Sequence, residues 1–107
     1  MPATFPDKWD TITRINYLQR KIIIASIAYY ELDEIFMSDY RYDGLVQQLK
    51  ALVDGCDERE NSRYWYVFKD WTGATGCFLF SRLNESDRDR LLEYTRDVLA
   101  AGSPTKP

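Results

Sequence analysis

Residues 29–49, YYELDEIFMSDYRYDGLVQQL, contain the turn between the first two predicted helices and decide how the chain folds back on itself. The connector LDEIFM ends at Ser38, whose side chain suits a helix N-cap. Asp39 follows in the first turn, where the positive end of the helix dipole favours a carboxylate. A connector this short lays the second helix against the first. The stretch therefore predicts a helical hairpin.

The helices on either side are indicated by apolar residues at spacings of three and four. The first is predicted over residues 8–32. Its apolar stripe comprises Ile12, Ile15, Leu18, Ile22, Ala25 and Tyr29, with Ile23, Ile24 and Ile27 as a second edge. The second is predicted over residues 39–54. Its apolar face comprises Tyr42, Leu45, Val46, Leu49, Leu52 and Val53, and Gly55 is the expected C-terminal stop.

The second half of the chain predicts a two-stranded antiparallel β-hairpin and a third helix, together residues 64–101. YWYVF, residues 64–68, is aromatic and β-branched, as strands are. KDWTGATG contains turn residues, and CFLFSRL, residues 77–83, is the predicted returning strand. Asn84 is the expected N-cap of the last helix. The order α-α-β-β-α predicts the α+β fold class.

Length and composition indicate one globular domain. The chain has 107 residues, of which 45% are hydrophobic, so residues 1–107 are predicted as a single domain. Within it, residues 8–54 form the helical hairpin, residues 1–7 a loose arm and residues 102–107 a flexible tail. The net charge of −3 argues against direct binding of nucleic acid or of an anionic membrane.

The absence of histidine excludes several kinds of chemistry. No serine or cysteine triad that uses histidine can form, and no histidine metal site, so we expect no metal. The N-terminus lacks the basic and apolar regions of a signal peptide, and no apolar run is long enough to span a membrane. We therefore expect a cytoplasmic protein in which Cys56 and Cys77 are free thiols.

Aromatic and acidic side chains cluster at the predicted helical turn. Tyr29 and Tyr30 end the first helix, and Asp39, Tyr42 and Asp43 share one face at the start of the second. The folded hairpin brings the two sets together as a cup with aromatic walls and a carboxylate rim. Such a cup suits a flat cationic ring that carries a diol, because tyrosine faces attract the cation and carboxylates accept hydrogen bonds from hydroxyls.

These residues resemble the N-terminal subdomain, called Ia, of NAD-dependent bacterial DNA ligases, with the pattern Y-[HY]-x-x-D-x-P-x-x-S-D-x-x-Y-D-x-L. The matching positions are Tyr29, Tyr30, Asp33, Ser38, Asp39, Tyr42, Asp43 and Leu45. The resemblance covers residues 18–53. It implies that the nicotinamide mononucleotide half of NAD is held by Tyr29, Tyr30, Asp39, Tyr42 and Asp43. Ile35 stands where the family has proline, and we expect this difference to affect the connector and not the site.

The chain looks most like a small phage-encoded relative of this subdomain. Ligation also needs a nucleotidyltransferase domain with a K-x-D-G lysine, which KDWTG at Lys69 does not match. We expect a non-catalytic protein that binds nicotinamide mononucleotide, NAD or a related nucleotide and requires no cofactor. A glycohydrolase that uses Asp39 and Asp43 is disfavoured, because the helix N-terminus keeps both carboxylates ionised.

The alternative hypothesis is a protein-interaction module that regulates or inhibits a host protein. Trp65, Lys69 and Trp71 would form its partner surface, or a second wall for the ligand. The predicted β-hairpin has apolar side chains on both faces, and two-fold pairing would cover the second face, so we expect a homodimer. Phe5 and Trp9 of the N-terminal arm would keep the protein monomeric if they covered that face instead.

Overall fold

The computed structural model describes residues 4–69, 71 and 79–102, and the regular structure of this part of the chain is helical. Its α-helices are α1 (Thr11–Ser26), α2 (Asp39–Asp54), α3 (Trp65–Phe68), α4 (Leu79–Arg82) and α5 (Glu85–Gly102). A π-helical turn, Ile27–Glu31, continues α1, and a 3-10 turn, Arg59–Asn61, precedes α3.

Helix α1 is the central element of the fold. It begins at Asp10, whose carboxylate accepts a hydrogen bond from the N–H of Thr13 at 2.8 Å. Helices α2, α4 and α5 and the 3-10 turn all pack against it. Apolar side chains with no exposed surface run along α1 and into the π-helical turn: Ile15, Leu18, Ile22, Ile23 and Ile27. The second apolar edge in the sequence therefore reflects burial on more than one side.

The predicted helical hairpin is confirmed. Helix α2 spans Asp39–Asp54, and the Ser38 hydroxyl caps it by accepting the N–H of Arg41 at 3.1 Å. Gly55 ends the helix with a φ of −93°, a value open to any residue. Buried side chains of α2 that face α1 include Leu45, Val46 and Leu49.

The N-terminal residues pack on the start of α1. The Phe5 ring stacks on Trp9 with centroids 5.7 Å apart and meets the edge of Tyr17 at 5.7 Å. Residues 1–3 of the predicted arm and 103–107 of the predicted tail lie outside the described residues.

The predicted β-hairpin, and with it the α+β fold class, is wrong. Residues 65–68 and 79–82 are helical, so both proposed strands are replaced by short helices in the part of the chain that the structure describes. Tyr64, Val67 and Phe68 are buried, and their spacing of three and four matches a helix rather than the alternation of a strand. The predicted turn at residues 70 and 72–76, and Cys77 beyond it, lie outside the described residues.

A buried glutamine on α1 explains how the chain enters α3. Gln19 has no exposed surface, and its amide nitrogen donates to the Ser62 hydroxyl oxygen at 3.0 Å. Its amide oxygen accepts the backbone N–H of Tyr64 at 3.0 Å. From the other side, Arg82 of α4 donates to the carbonyl of Val67 at 3.0 Å. The Tyr64 N–H and the Val67 carbonyl, which would pair with a neighbouring strand in a sheet, are thus hydrogen-bonded to side chains instead.

The helical geometry also removes the argument for a homodimer. That argument required a ribbon with two apolar faces, whereas Tyr64 is 4% and Phe68 6% exposed within a single copy. Cys56 is a buried free thiol. Among the described residues, none of the helices combines the length and the apolar character that a membrane crossing requires.

The carboxylate of Asp87 joins α5 to the segment around α3. Its side chain is 4% exposed and accepts hydrogen bonds from Arg63 at 2.8 Å, Arg90 at 2.7 Å and the Tyr66 hydroxyl at 2.6 Å. Asn84 caps α5 as predicted, because its side chain accepts the Asp87 N–H at 2.8 Å. Burial alone would raise the pKa of Asp87, but the hydrogen bonds and the two arginine charges outweigh burial and hold the pKa below its usual range.

We predict that Gln19→Leu destabilises the protein by about 1–3 kcal/mol, because the Tyr64 N–H loses its acceptor in a buried position. Urea unfolding measures the change. The control is Gln47→Leu at an exposed position of α2, where we expect a change within about 0.5 kcal/mol. Equal stabilities for the two variants would contradict the role assigned to Gln19.

We predict that Asp87→Asn lowers the free energy of unfolding by about 2 kcal/mol near neutral pH, because hydrogen bonds to a charged group are lost. The folded pKa lies below the unfolded value of about 3.9, so the stabilisation is complete above that pH and is lost as the pH falls below it. Urea unfolding of wild type and variant across this range tests the prediction. Asp89→Asn, exposed on α5, is the control. The prediction fails if the stability difference grows on acidification.

Candidate functional site

A pocket of about 480 Å³ lies between the end of α1 and the start of α2. Its volume is in the range of small-molecule binding sites, roughly 300–1,000 Å³. The lining residues are Ala25, Ser26, Tyr29, Tyr30, Ile35, Phe36, Met37, Ser38, Asp39 and Tyr42. The helical turn that the sequence singles out therefore surrounds a cavity.

Most of the predicted ligand-binding residues meet in this pocket. Tyr29, Tyr30, Asp39 and Tyr42 line it. Asp43 is exposed on α2 and is not among the lining residues. The wall therefore contains one of the two predicted carboxylates, at the N-terminus of α2.

The tyrosine pair is carried by the π-helical turn. Where α1 passes into this turn, the Ser26 hydroxyl donates to the carbonyl of Ile22 at 3.0 Å, a bond that tends to bend helices. The Tyr29 and Tyr30 rings meet edge to face, with centroids 4.9 Å apart and planes at 89°. Tyr29 is 59% and Tyr30 47% exposed, so Tyr29 leaves the apolar stripe on which its spacing places it. Both rings therefore border solvent at the pocket, where a ligand can cover them.

A residue in the left-handed conformation lies two positions after the π-helical turn. Asp33 has a φ of 57°, a value that glycine, asparagine and aspartate tolerate best. The chain closes around it, because the N–H of Leu32 donates to the carbonyl of Ile27 at 3.1 Å and that of Glu34 to Ala28 at 2.7 Å. This closure directs residues 35–37 back toward α2.

The connector supplies a wall that the sequence reasoning missed. Ile35, Phe36 and Met37 all line the pocket. The expectation that Ile35 lies away from the site is wrong, because the left-handed turn brings the connector over the cavity. The apolar run IFM in an otherwise polar connector was the signal for these residues.

A lysine on α1 supports the connector wall from outside. The Lys21 ammonium lies 5.2 Å from the centre of the Phe36 ring and 5.7 Å from that of Tyr17, in cation–π range. Burial lowers the pKa of Lys21, and the charges of Arg41 and Arg20 lower it further. The Lys21 cation therefore helps to hold Phe36 in the pocket wall.

The pocket offers aromatic faces, apolar floor and one carboxylate. This combination recognises a flat ring and an adjacent hydrogen-bond donor, whereas paired carboxylates for acid–base chemistry are not brought together in the wall. Among the described residues, no group of three cysteine, aspartate or glutamate side chains is placed to hold a metal ion.

The three residues predicted as a partner surface or second ligand wall lie elsewhere. Trp65, Lys69 and Trp71 line a second pocket of about 430 Å³, next to the C-terminal half of α2. The structure therefore brings them together, but not as part of the first pocket.

Comparison with known proteins identifies a family that resembles the first half of the chain. Residues 8–56 match the family model described as the DNA ligase-like, N-terminal NAD+-binding domain. The match includes both helices of the hairpin and every residue that lines the first pocket, and it confirms the resemblance seen in the sequence. It ends before α3. No curated protein and no solved structure matches the chain.

We predict that Asp33→Val lowers the free energy of unfolding by about 1–2 kcal/mol, because a β-branched residue is strained at a left-handed position. Asp33→Gly is the matched variant and should keep the stability within about 0.5 kcal/mol, because glycine adopts positive φ without strain. Thermal unfolding of the two variants under identical conditions measures the difference. Equal losses of stability in the two variants would contradict this reason. They would show that the aspartate side chain, and not the left-handed backbone, sets the stability at this position.

Proposed function

We propose that the first pocket binds nicotinamide mononucleotide, or the nicotinamide half of NAD, without converting it. The observation that carries the proposal is the meeting of Tyr29, Tyr30 and Asp39 in one pocket wall. The family match over residues 8–56 supports it, because that family is described as NAD+-binding.

The pocket chemistry fits a pyridinium nucleoside. An oxidised nicotinamide ring is flat and cationic, and exposed tyrosine faces attract such a ring. The Asp39 carboxylate can accept hydrogen bonds from ribose hydroxyls and offset the ring charge. Ile35 and Met37 supply apolar contact for the carbon atoms of the ring and the ribose. The site therefore selects for charge, flatness and a diol together.

A non-catalytic role is part of the proposal. The 107 residues contain no K-x-D-G motif, whose lysine is the nucleophile of the ligase reaction. The glycohydrolase alternative needs two cooperating carboxylates, and Asp43 is not among the lining residues. The protein-interaction alternative rested in part on the two-faced β-hairpin, which the described residues do not form. Nicotinamide binding is therefore the function that the geometry favours.

We predict saturable heat on titration with nicotinamide mononucleotide, and about tenfold weaker binding in Asp39→Asn because a charge-assisted hydrogen bond is lost. Isothermal titration calorimetry measures both. Tyr30→Ala should also weaken binding, by several-fold, through loss of an aromatic face. The control is Tyr40→Ala. Tyr40 follows Asp39 in α2, but its side chain is 77% exposed and does not line the pocket.

Binding of reduced nicotinamide mononucleotide tests whether the pocket recognises the charge of the ring or only its shape. Its ring is neutral, so we expect it to bind several-fold more weakly than the oxidised form. Absence of heat with the oxidised form at millimolar concentration, or equal affinities in Asp39→Asn and Tyr40→Ala, would overturn the proposed function. Release of free nicotinamide during the titration would overturn the non-catalytic part alone.

A further inference from the structure

The second pocket is a separate cavity at the opposite end of α2. The first is built around Asp39 and the second around Asp54, and α2 rises about 1.5 Å per residue, so these ends are roughly 22 Å apart. The family match ends at residue 56, before the Trp65, Lys69 and Trp71 that complete the second pocket. The family match therefore does not cover the aromatic side of the second pocket.

Two tryptophan rings in this pocket are positioned by the core. Trp71 meets the edge of the Phe68 ring, with centroids 5.0 Å apart and planes at 78°. Phe68 is 6% exposed and belongs to the hydrophobic core, so it fixes the position of its neighbour. Trp71 and Trp65, the first residue of α3, are both partly buried. Neither indole is fully buried, and both border the cavity.

Basic side chains surround these rings. Lys50, Arg59 and Lys69 line the pocket together with the carboxylate of Asp54. The guanidinium of Arg59 is held in place, because its Nη1 donates to the carbonyls of Cys56 at 3.1 Å and Val53 at 3.5 Å. The pocket therefore has one cation in a fixed position beside the two indoles.

The described residues that line this cavity carry more positive than negative charge. They supply three cationic side chains and one carboxylate, whereas the whole chain has a net charge of −3. A cationic ring would be repelled here, and a bare anion would leave the indole faces unused. A flat ring that carries an anionic group matches both features, because bases stack on tryptophan and phosphates pair with arginine and lysine.

We propose that the second pocket binds a nucleoside monophosphate. The base lies against Trp65 and Trp71, and the phosphate is bound by Arg59, Lys50 and Lys69. The carboxylate of Asp54 accepts a hydrogen bond from a ribose hydroxyl or from an amino group of the base. The chain then has two nucleotide sites of opposite charge preference, one at each end of α2.

Tryptophan fluorescence reports this site selectively, because no tryptophan lines the first pocket. Trp9→Phe removes the remaining tryptophan, which packs on Phe5 and Tyr17. In this variant we expect AMP to quench the emission of Trp65 and Trp71 saturably. Adenosine and inorganic phosphate each lack half of the recognised group and should bind at least about tenfold more weakly.

In the same background, Lys69→Gln should weaken AMP binding by about tenfold through loss of a phosphate contact. Lys8→Gln makes the same charge change at an exposed position that does not line the pocket, and it should leave the affinity unchanged. Thermal unfolding checks that both variants fold.

Any one of the following outcomes would overturn the proposal: no saturable quenching up to about 10 mM AMP, equal affinities in the two lysine variants, or phosphate alone binding as tightly as AMP. A short adenine oligonucleotide distinguishes a free nucleotide from a nucleic-acid strand. If it binds more than about tenfold tighter than AMP, the ligand is a strand and the mononucleotide proposal is wrong. None of these outcomes bears on the nicotinamide site, because its titration is separate.

Discussion

Burial of α1 on several sides is the constraint from which the rest of the structure follows. Five of its isoleucine and leucine side chains, counting into the π-helical turn, have no exposed surface. One neighbouring helix cannot cover them, so α2, α4, α5 and the 3-10 turn all pack against α1. The same burial requires Gln19 to find internal partners, since an unpaired amide there would be costly. The partners it finds, Ser62 and the Tyr64 N–H, fix the entry to α3.

The first pocket forms where this burial ends. Ile27 and Ala28 are still covered, whereas Tyr29 and Tyr30 in the next positions are half exposed. The π-helical turn and the left-handed Asp33 make that change abrupt and return the connector over the rings. A regular helix running on to residue 32 would have kept Tyr29 on the buried stripe. The irregular end of α1 thus converts a core contact into a cavity wall, which is a common use of π-helical turns.

Local signals in the sequence were sufficient for the helical hairpin and for much of its site. Ser38 and Asn84 cap the helices that they were predicted to cap, because an N-cap depends on a side chain and a backbone N–H three residues away. Spacing on α2 and a short connector were enough to bring Tyr42 and Asp39 together with the tyrosine pair. These interactions span few residues, so the sequence alone determines them.

Tertiary structure decided the conformation of residues 64–68 and the full shape of both pockets. YWYVF has strand propensity, but its buried positions 64, 67 and 68 have the spacing of a helix. Gln19, which lies 45 residues earlier in the sequence, accepts the backbone N–H of Tyr64. The position of Ile35 in the first pocket depends on the backbone at Asp33, and the second pocket combines α2 with residues beyond α3. Contacts between distant residues override local propensity here, because the free energy of burying these aromatic side chains exceeds the small intrinsic preference for a strand.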